Sequence, residues 1–268
     1  TSLFIALVAI GMVYQVVYLF HIALPLSFYG FVFFGTLCSY NLHWLFTPAT
    51  LTADAPFKTR WHVKHRHLHT VLTSIALVGA IFFVTHLLEH WTWLLATALF
   101  TFLYTAPKIP VAPFTSLRKI AYGKTVFLAL AWMHITTQLP LLLVETNWQM
   151  QHYLFALHRF SLIYIICILF DLRDRESDKV EGIKSMITQM SLPQVRVIYF
   201  GMLLFYFVCT FWLWAYLSFG TGLALSIPGI ILLFSYNWFI RQTSAYVFYF
   251  LLDGLMVFSL PLMLLFPF

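Results

Sequence analysis

The chain has 268 residues, of which 62% are hydrophobic and 19% aromatic, while only 9% are charged, and its formal net charge is +6. Soluble domains carry about 25% charged residues, so the composition excludes a soluble globular protein and predicts an integral membrane protein. The apolar runs are long and nearly uninterrupted, which excludes a membrane β-barrel built from alternating strands of roughly ten residues. We therefore expect residues 1–268 to form a single all-α transmembrane domain.

Nine transmembrane helices are predicted when each apolar run of about 20 residues is counted as one span. In chain order the spans are 2–20, 22–44, 71–88, 91–104, 125–144, 153–170, 197–217, 223–240 and 244–266. Their connections alternate between short and long, and the long ones are 47–70, 105–124 and 171–196. The expected fold is therefore a bundle of nine helices.

Positive charge is predicted to lie on one side of the membrane. With nine spans, the N-terminus, the long connections and the short segment around Arg241 share one side, and every Lys and Arg except Arg159 falls there. By the positive-inside rule this side is cytoplasmic, in an inner or plasma membrane. Membrane topology alone would explain this one-sided distribution of Lys and Arg. Basic loops that converge around an anionic ligand at the cytoplasmic mouth would explain it as well. No nucleic-acid partner is expected.

The first long connection is rich in imidazoles and cations, with the sequence FKTRWHVKHRHLHT at 57–70. It is similar to a histidine box of membrane di-iron hydroxylases and desaturases, but those enzymes need several boxes on one face. The other helical pair, His86 and His90, is predicted on the opposite side of the membrane, which argues against a di-iron site. A juxtamembrane basic segment attracted to anionic headgroups is the simpler interpretation.

Two charged residues lie inside predicted spans, Arg159 early in the sixth and Asp253 in the ninth. Because a charge is costly in lipid, both are expected to face the bundle interior. They either pair with each other structurally or mark a polar pocket for an acceptor, and we favour the structural role.

The acidic residues are concentrated in one stretch, FDLRDRESDKVEGIK at 170–184. If the sixth span continues as a helix past the membrane, Asp171, Asp174 and Asp178 share one face, because positions i, i+3 and i+7 project together. Carboxylates on one face repel each other unless a cation lies between them. Magnesium takes such oxygen ligands and bridges them to substrate phosphates.

Basic residues are interleaved with these carboxylates and match the charge of a phosphate group. They are Arg173, Arg175, Lys179 and Lys184. The alternative to a ligand site is a solvated charged loop whose residues pair with one another.

The stretch DLRDRESDKVEGIKSM resembles the second aspartate-rich motif of the UbiA superfamily of intramembrane prenyltransferases, which follows the sixth of nine helices on the cytoplasmic side. The matching residues are Asp171, Arg173, Asp174, Asp178, Lys179, Gly182 and Lys184. LYTAPKIP at 103–110 is similar to the Tyr-x-x-Pro turn of that family, and LRKIAYGKTVFLALAW at 117–132 to the basic start of its fifth helix. The resemblance runs from about the second span to the end of the chain.

This resemblance implies a UbiA-like bundle of nine helices around a central cavity, open to the cytoplasm and laterally to lipid. The chain would move a polyprenyl group from a prenyl diphosphate to a membrane-associated acceptor, with Mg²⁺ held by the catalytic carboxylates Asp171, Asp174 and Asp178. The diphosphate would contact Asn41, Arg60, Lys64, Lys119, Lys124, Arg173, Lys179 and Lys184. Membrane lipids and other membrane proteins would be further partners.

The first aspartate motif of that family, Asn-Asp-x-x-Asp-x-x-x-Asp at the end of the second helix, is not preserved. The corresponding stretch, SYNLHWLFTPAT at 39–50, keeps Asn41 but has Leu42, Leu45 and Ala49 at the aspartate positions. One hypothesis is that basic residues of the first long connection grip the diphosphate in place of the first metal cluster. They are Lys58, Arg60, Lys64 and Arg66.

Three functions remain open from the sequence. The first is prenyl transfer with the second aspartate motif and Mg²⁺. The second is a non-catalytic UbiA-like protein that binds a lipid, quinone or isoprenoid, or serves as a membrane subunit of a larger complex. The third is transport of an anionic lipid, against which the sequence lacks the internal repeat and paired broken helices of many transporters.

Overall fold

The computed structural model describes residues 2–45, 66–105, 123–144, 147–180, 185–244 and 246–265. All regular elements in these ranges are helical, and no strand occurs within them. The all-α prediction is therefore confirmed for the described part of the chain.

The α-helices are α1 (Ser2–Phe20), α2 (Leu26–Leu45), α3 (Arg66–Val84), α4 (Trp91–Thr105), α5 (Gly123–Met133), α6 (Leu139–Val144), α7 (Met150–Val180), α8 (Met186–Gln189), α9 (Leu192–Leu213), α10 (Phe219–Phe239), α11 (Asp253–Leu255) and α12 (Ser259–Leu265). A 3₁₀ segment, Thr85–His90, joins α3 to α4. Two π-helical segments, His134–Gln138 and Val247–Leu252, lie before α6 and before α11.

Within the described residues, 6 helical runs are long and apolar enough to cross a bilayer, or 7 if a C-terminal pair bent by 48° counts as one span. Helix α2 is long enough but is less apolar, because Asn41 and several Ser, Thr and Tyr residues interrupt it. These apolar helices are those of a membrane protein. The count of nine spans is not reached in these residues and stays a prediction.

The predicted third and fourth spans form one helical run in the structure. The run His67–Leu103 has 37 residues, about 55 Å at 1.5 Å per residue, whereas a bilayer hydrocarbon core is about 30 Å thick. The expected reversal between 88 and 91 is replaced by the 3₁₀ segment, whose sequence THLLEH contains neither Gly nor Pro. Without a turn residue there, the helical path continues.

Helices α2 and α3 pack closely because two glycines admit phenylalanine rings. A Cβ on Gly30 would lie 2.6 Å from the Phe83 ring, and one on Gly79 would lie 2.7 Å from the Phe34 ring. The rings of Phe34 and Phe83 stack with centroids 5.7 Å apart. These pairings run in opposite directions along the two helices, so α2 and α3 are antiparallel and the end of α2 lies beside the start of α3.

Helix α7 is the central helix of the bundle. In its most apolar window 72% of residues are buried, against 17% in the run of α3 and α4. Its apolar residues from Leu162 to Leu169 are all buried and form much of the main core cluster. Side chains at the two ends of α7 are therefore positioned by the central, largely buried helix of the described bundle.

Candidate functional site

The acidic stretch is helical as far as Val180, which is the condition under which the sequence places its three aspartates on one face. Helix α7 continues beyond Phe170, the last residue of the predicted sixth span, to Val180, and no Gly or Pro interrupts it before Gly182. Asp171 and Asp178 are both buried, each 7% exposed, while the Asp174 side chain is 40% exposed. The three carboxylates thus occupy one stretch of helix, with Asp174 at its solvent rim.

Asp171 is held by a hydroxyl from a neighbouring helix. Thr125 Oγ1, in the first turn of α5, donates to Asp171 Oδ2 at 2.5 Å, and both residues are buried. A short O–H···O bond of this kind is typical of an ionised acceptor. The bond fixes the orientation of the carboxylate and joins the end of α7 to the start of α5.

Asp174 forms an ion pair with the adjacent arginine. Arg173 Nε donates to Asp174 Oδ1 at 2.6 Å and Nη2 donates to Oδ2 at 2.9 Å, which is a bidentate pair. Arg173 Nη2 also donates to the Tyr249 hydroxyl at 3.2 Å. Both carboxylate oxygens of Asp174 are therefore engaged by one guanidinium.

Aromatic rings surround the same guanidinium. Arg173 Cζ lies 4.5 Å from the ring centroid of Phe248, 5.0 Å from that of Tyr249 and 5.2 Å from that of Phe170. The Arg173 side chain is 12% exposed. We call Phe170, Phe248 and Tyr249 the aromatic cage. Attraction between the cation and the ring faces adds to the ion pair in holding Arg173 in place.

Arg175, Glu176 and Lys179 form local contacts. Arg175 Nε and Nη2 donate to the carbonyls of Ile187 and Met190 at 3.0 and 2.9 Å, which ties α7 to the segment around α8. Lys179 Nζ donates to Glu176 Oε1 at 2.9 Å on the exposed side of the helix. Lys179, a predicted diphosphate ligand, is thus paired with a surface carboxylate.

Asn41 lies at the same end of the bundle as the acidic stretch. Its Oδ1 accepts from Ser2 Oγ at 2.9 Å at the start of α1. One turn away on α1, Phe4 stacks on Phe250 at 4.8 Å, and Phe250 follows Tyr249 of the aromatic cage. Asn41 is fully buried, and its Nδ2 has no hydrogen-bond partner among the described residues. We call this end of the bundle the polar end.

The other predicted diphosphate ligands cannot be compared with the site. Arg60, Lys64, Lys119 and Lys184 lie outside the described residues, as do Lys58, His62 and His65 of the basic connection. Lys124 is the second residue of α5, next to Thr125, but its side chain is not among those described. The hypothesis that basic residues replace the first aspartate motif therefore stays a prediction.

The donor chemistry of the acidic stretch fits magnesium, since carboxylate oxygens and a hydroxyl are hard oxygen ligands. The three carboxylates do not form a complete metal site, because Asp174 is hydrogen-bonded to Arg173. Among the described residues, no group of three or more His, Cys, Asp or Glu side chains converges closely enough to hold a metal ion. The carboxylates would have to rearrange to share one cation.

An apolar groove lies between α5 and α7, on the side of the bundle away from the polar end. Its volume is about 280 Å³, and Leu130, Met133, Leu157 and Phe160 are among its lining residues. Along α7, Phe160 is 11 residues before Asp171, or about 16 Å at 1.5 Å per residue. Between the groove and the polar end, the α7 residues from Leu162 to Leu169 are buried in the main core, so the two are separate features.

The two predicted intramembrane charges are both buried. Arg159 is 1% exposed and Asp253 is 6% exposed. Arg159 Nη2 donates to Gln15 Oε1 at 2.7 Å and to the Met12 carbonyl at 3.4 Å. The hydrogen bonds of Arg159 thus go to α1 and not to Asp253, so the structure does not show the pair that was one of the two expectations for these charges.

The sequence interpretation missed three groups that shape the site. Thr125 directly follows Lys124 at the predicted start of the fifth span, and that position was the available signal for it. Phe248 and Tyr249 lie in an apolar run without a distinguishing motif. Their role follows only from the packing of the last helical segment against α7.

No protein-family model, curated protein or solved structure matches the chain.

Proposed function

We propose that this protein is a UbiA-like membrane prenyltransferase that moves a polyprenyl group from a prenyl diphosphate to a membrane-associated acceptor with Mg²⁺. The observation that carries the proposal is the end of α7, where the buried Asp171 and the caged Arg173 lie within three consecutive residues of one helix. A carboxylate and a guanidinium together are what a magnesium diphosphate group requires.

In the proposed reaction the bond between C1 of the prenyl chain and the diphosphate oxygen breaks, and diphosphate leaves with the electron pair. A nucleophilic atom of the acceptor forms the new bond to C1 and loses its proton. Bound Mg²⁺ would supply neutralisation of the leaving diphosphate. The metal ligands would be Asp171, Asp174 and Asp178.

The chain's own residues would bind and orient the diphosphate. Arg173 offers a guanidinium held by the aromatic cage, and Thr125 fixes Asp171. The remaining proposed ligands of the diphosphate are Asn41, Arg60, Lys64, Lys119, Lys124, Lys179 and Lys184. Electron-rich rings near the polar end would stabilise positive charge that develops on the prenyl group.

The proposal includes the finer topology: nine spans, a cytoplasmic N-terminus and cytoplasmic long connections in an inner or plasma membrane. It is supported by the grouping of Arg173, Arg175 and Lys179 at the polar end, while Arg159 lies deep in the bundle. Accessibility labelling of single cysteines in the connections 47–70 and 171–196 tests it. Labelling from the periplasmic side would contradict the assignment.

Pyrophosphate release tests the proposed reaction. The full chain, purified in detergent, is incubated with prenyl diphosphates of increasing chain length, Mg²⁺ and a membrane lipid extract as the source of acceptor. We expect release with at least one chain length and its loss in Asp171→Asn. Absence of release with all chain lengths, in protein that still binds the diphosphates, would overturn catalysis.

A second function is favoured by one observation, the bidentate Arg173–Asp174 pair, together with the missing aspartates after Asn41. A non-catalytic UbiA-like protein would bind a lipid or isoprenoid, or act as a membrane subunit, without needing free metal ligands. Binding of a prenyl diphosphate without release of pyrophosphate, unchanged by removal of Mg²⁺, is the result that this alternative predicts.

A further inference from the structure

Arg173 and Asp174 form a bidentate pair that engages the whole Asp174 carboxylate. Both carboxylate oxygens of Asp174 accept from the guanidinium, at 2.6 and 2.9 Å. Bidentate charge-assisted pairs are among the strongest hydrogen bonds in proteins. A divalent cation that approached Asp174 would have to displace a cation already in place.

The guanidinium nevertheless keeps one edge available. Its Nε and Nη2 are engaged by Asp174 and Tyr249, whereas Nη1 makes no hydrogen bond to a described residue. The aromatic cage contacts the face of the group rather than its donors. Arg173 can therefore exchange hydrogen-bond acceptors without leaving the cage.

We propose that the Arg173–Asp174 pair is an exchangeable lock that couples anion binding to cation binding at the polar end. A diphosphate group that docks on Nη1 carries more negative charge than a single carboxylate, and it draws the N–H donors of Arg173 away from Asp174. The released carboxylate then accepts a divalent cation. This inference rests on the proposed function, because it names how the same site is regulated.

Two consequences follow for the isolated ligands. Without an anion, Asp174 stays on Arg173 and a divalent cation binds weakly. Without a cation, an anion must compete with Asp174 for the guanidinium and also binds weakly. Removing the Arg173 guanidinium should therefore strengthen binding of a cation by Asp174. Removing the Asp174 carboxylate should likewise strengthen binding of an anion by Arg173.

Two exposed charges provide matched controls. Glu176 lies on the same helix and has a side-chain exposure of 78%, and Arg196, near the start of α9, is exposed as well. Arg196→Gln removes the same charge as Arg173→Gln, and Glu176→Gln the same charge as Asp174→Asn. Neither residue is among the proposed ligands, and exposed charges contribute little, so these variants report only the effect of the charge.

The experiment measures two affinities of the full chain in detergent. Mn²⁺ binding without any anion is followed by electron paramagnetic resonance, and inorganic pyrophosphate binding in EDTA by calorimetry. We expect Arg173→Gln to raise Mn²⁺ affinity about tenfold, and Asp174→Asn to raise pyrophosphate affinity about tenfold, as for other close charge pairs. Arg196→Gln and Glu176→Gln should change these affinities less than about twofold.

The lock is overturned if each test variant and its control have equal effects, since that result means general electrostatics, or if neither test variant strengthens binding. If Arg173→Gln fails to fold, pyrophosphate binding by Asp174→Asn decides alone. These affinities need no turnover. A stronger affinity in Asp174→Asn, together with no pyrophosphate release from prenyl diphosphates by the unaltered protein, would keep the lock and remove the proposed catalysis.

Discussion

Two arginines of helix α7, the buried Arg159 and the partly buried Arg173, are 14 positions apart, about 21 Å along the helix, and they differ in their hydrogen-bond partners. Arg159 is 1% exposed, and its hydrogen bonds go to a neutral amide and a carbonyl. Arg173 is bound to a carboxylate at the solvent rim and is surrounded by three rings. The comparison separates a structural cation from one that can exchange partners.

The interior arginine belongs to a network that crosses the bundle. Gln15 accepts from Arg159 through Oε1 and donates through Nε2 to Ser259 Oγ at 2.7 Å. This network links α1, α7 and α12, and one donor of Arg159, Nη1, has no partner among the described residues. A buried charge with so few acceptors depends strongly on each of them.

The largest expected effect is at this interior arginine. Gln15→Leu removes the side-chain acceptor of Arg159 and leaves its charge buried, which should lower the free energy of unfolding by about 3–5 kcal/mol. The melting temperature in detergent measures it. The double variant Gln15→Leu with Arg159→Met should recover most of the loss. A stable Gln15→Leu protein would contradict the structural role of Arg159.

The next effect concerns the acidic stretch. Asp171→Asn keeps the shape of the side chain but removes a charged ligand, so pyrophosphate release should fall about 100-fold. Glu176→Gln, an exposed carboxylate five residues further along α7, should stay within about twofold. Equal losses in the two variants would show that net charge, rather than the position of Asp171, matters.

A smaller effect is expected at Thr125, which orients Asp171 without being a ligand itself. Thr125→Val removes the hydroxyl at nearly constant volume and should lower the affinity for divalent cation about tenfold. Thr125→Ser retains the donor and should restore most of that affinity. If serine does not rescue, the methyl contact rather than the hydrogen bond is what matters at this position.

The smallest expected effect is on stability, at Tyr206 in the bundle interior. The Tyr206 hydroxyl donates to the Leu225 carbonyl, which connects α9 to α10 near Pro228. Tyr206→Phe should lower the free energy of unfolding by about 1 kcal/mol and leave pyrophosphate release unchanged. A loss of activity without a loss of stability would mean that this buried region takes part in the reaction.

Much of the fold could be predicted from local patterns. Apolar runs give helices because a backbone in lipid must satisfy its own hydrogen bonds, and the helical continuation to Val180 followed from the spacing of the aspartates and the absence of Gly and Pro. The same reasoning put a reversal between 88 and 91, where the chain runs on as one helix. Run length alone does not show where a helix turns back.

The partners of the charged residues could not be predicted in the same way. A pair of Arg159 with Asp253 was one expectation, because opposite charges in lipid favour pairing, yet Arg159 donates to Gln15 and Met12 of α1 instead. Arg173 was read as a free phosphate ligand, and its pairing with Asp174 and its aromatic cage depend on how the last helical segment meets α7. Such contacts join positions about 75 residues apart, beyond the reach of any local pattern.

Photo-crosslinking tests the central claim, that the end of α7 receives the diphosphate of a prenyl diphosphate, most directly. A prenyl diphosphate analogue with a diazirine beside the diphosphate is bound to the full chain and irradiated, and the labelled peptides are mapped. We predict a label on the segment that contains Asp171 and Arg173, lost with excess pyrophosphate and retained with excess prenyl alcohol. A label confined to other segments, or one that pyrophosphate does not displace, would contradict the account.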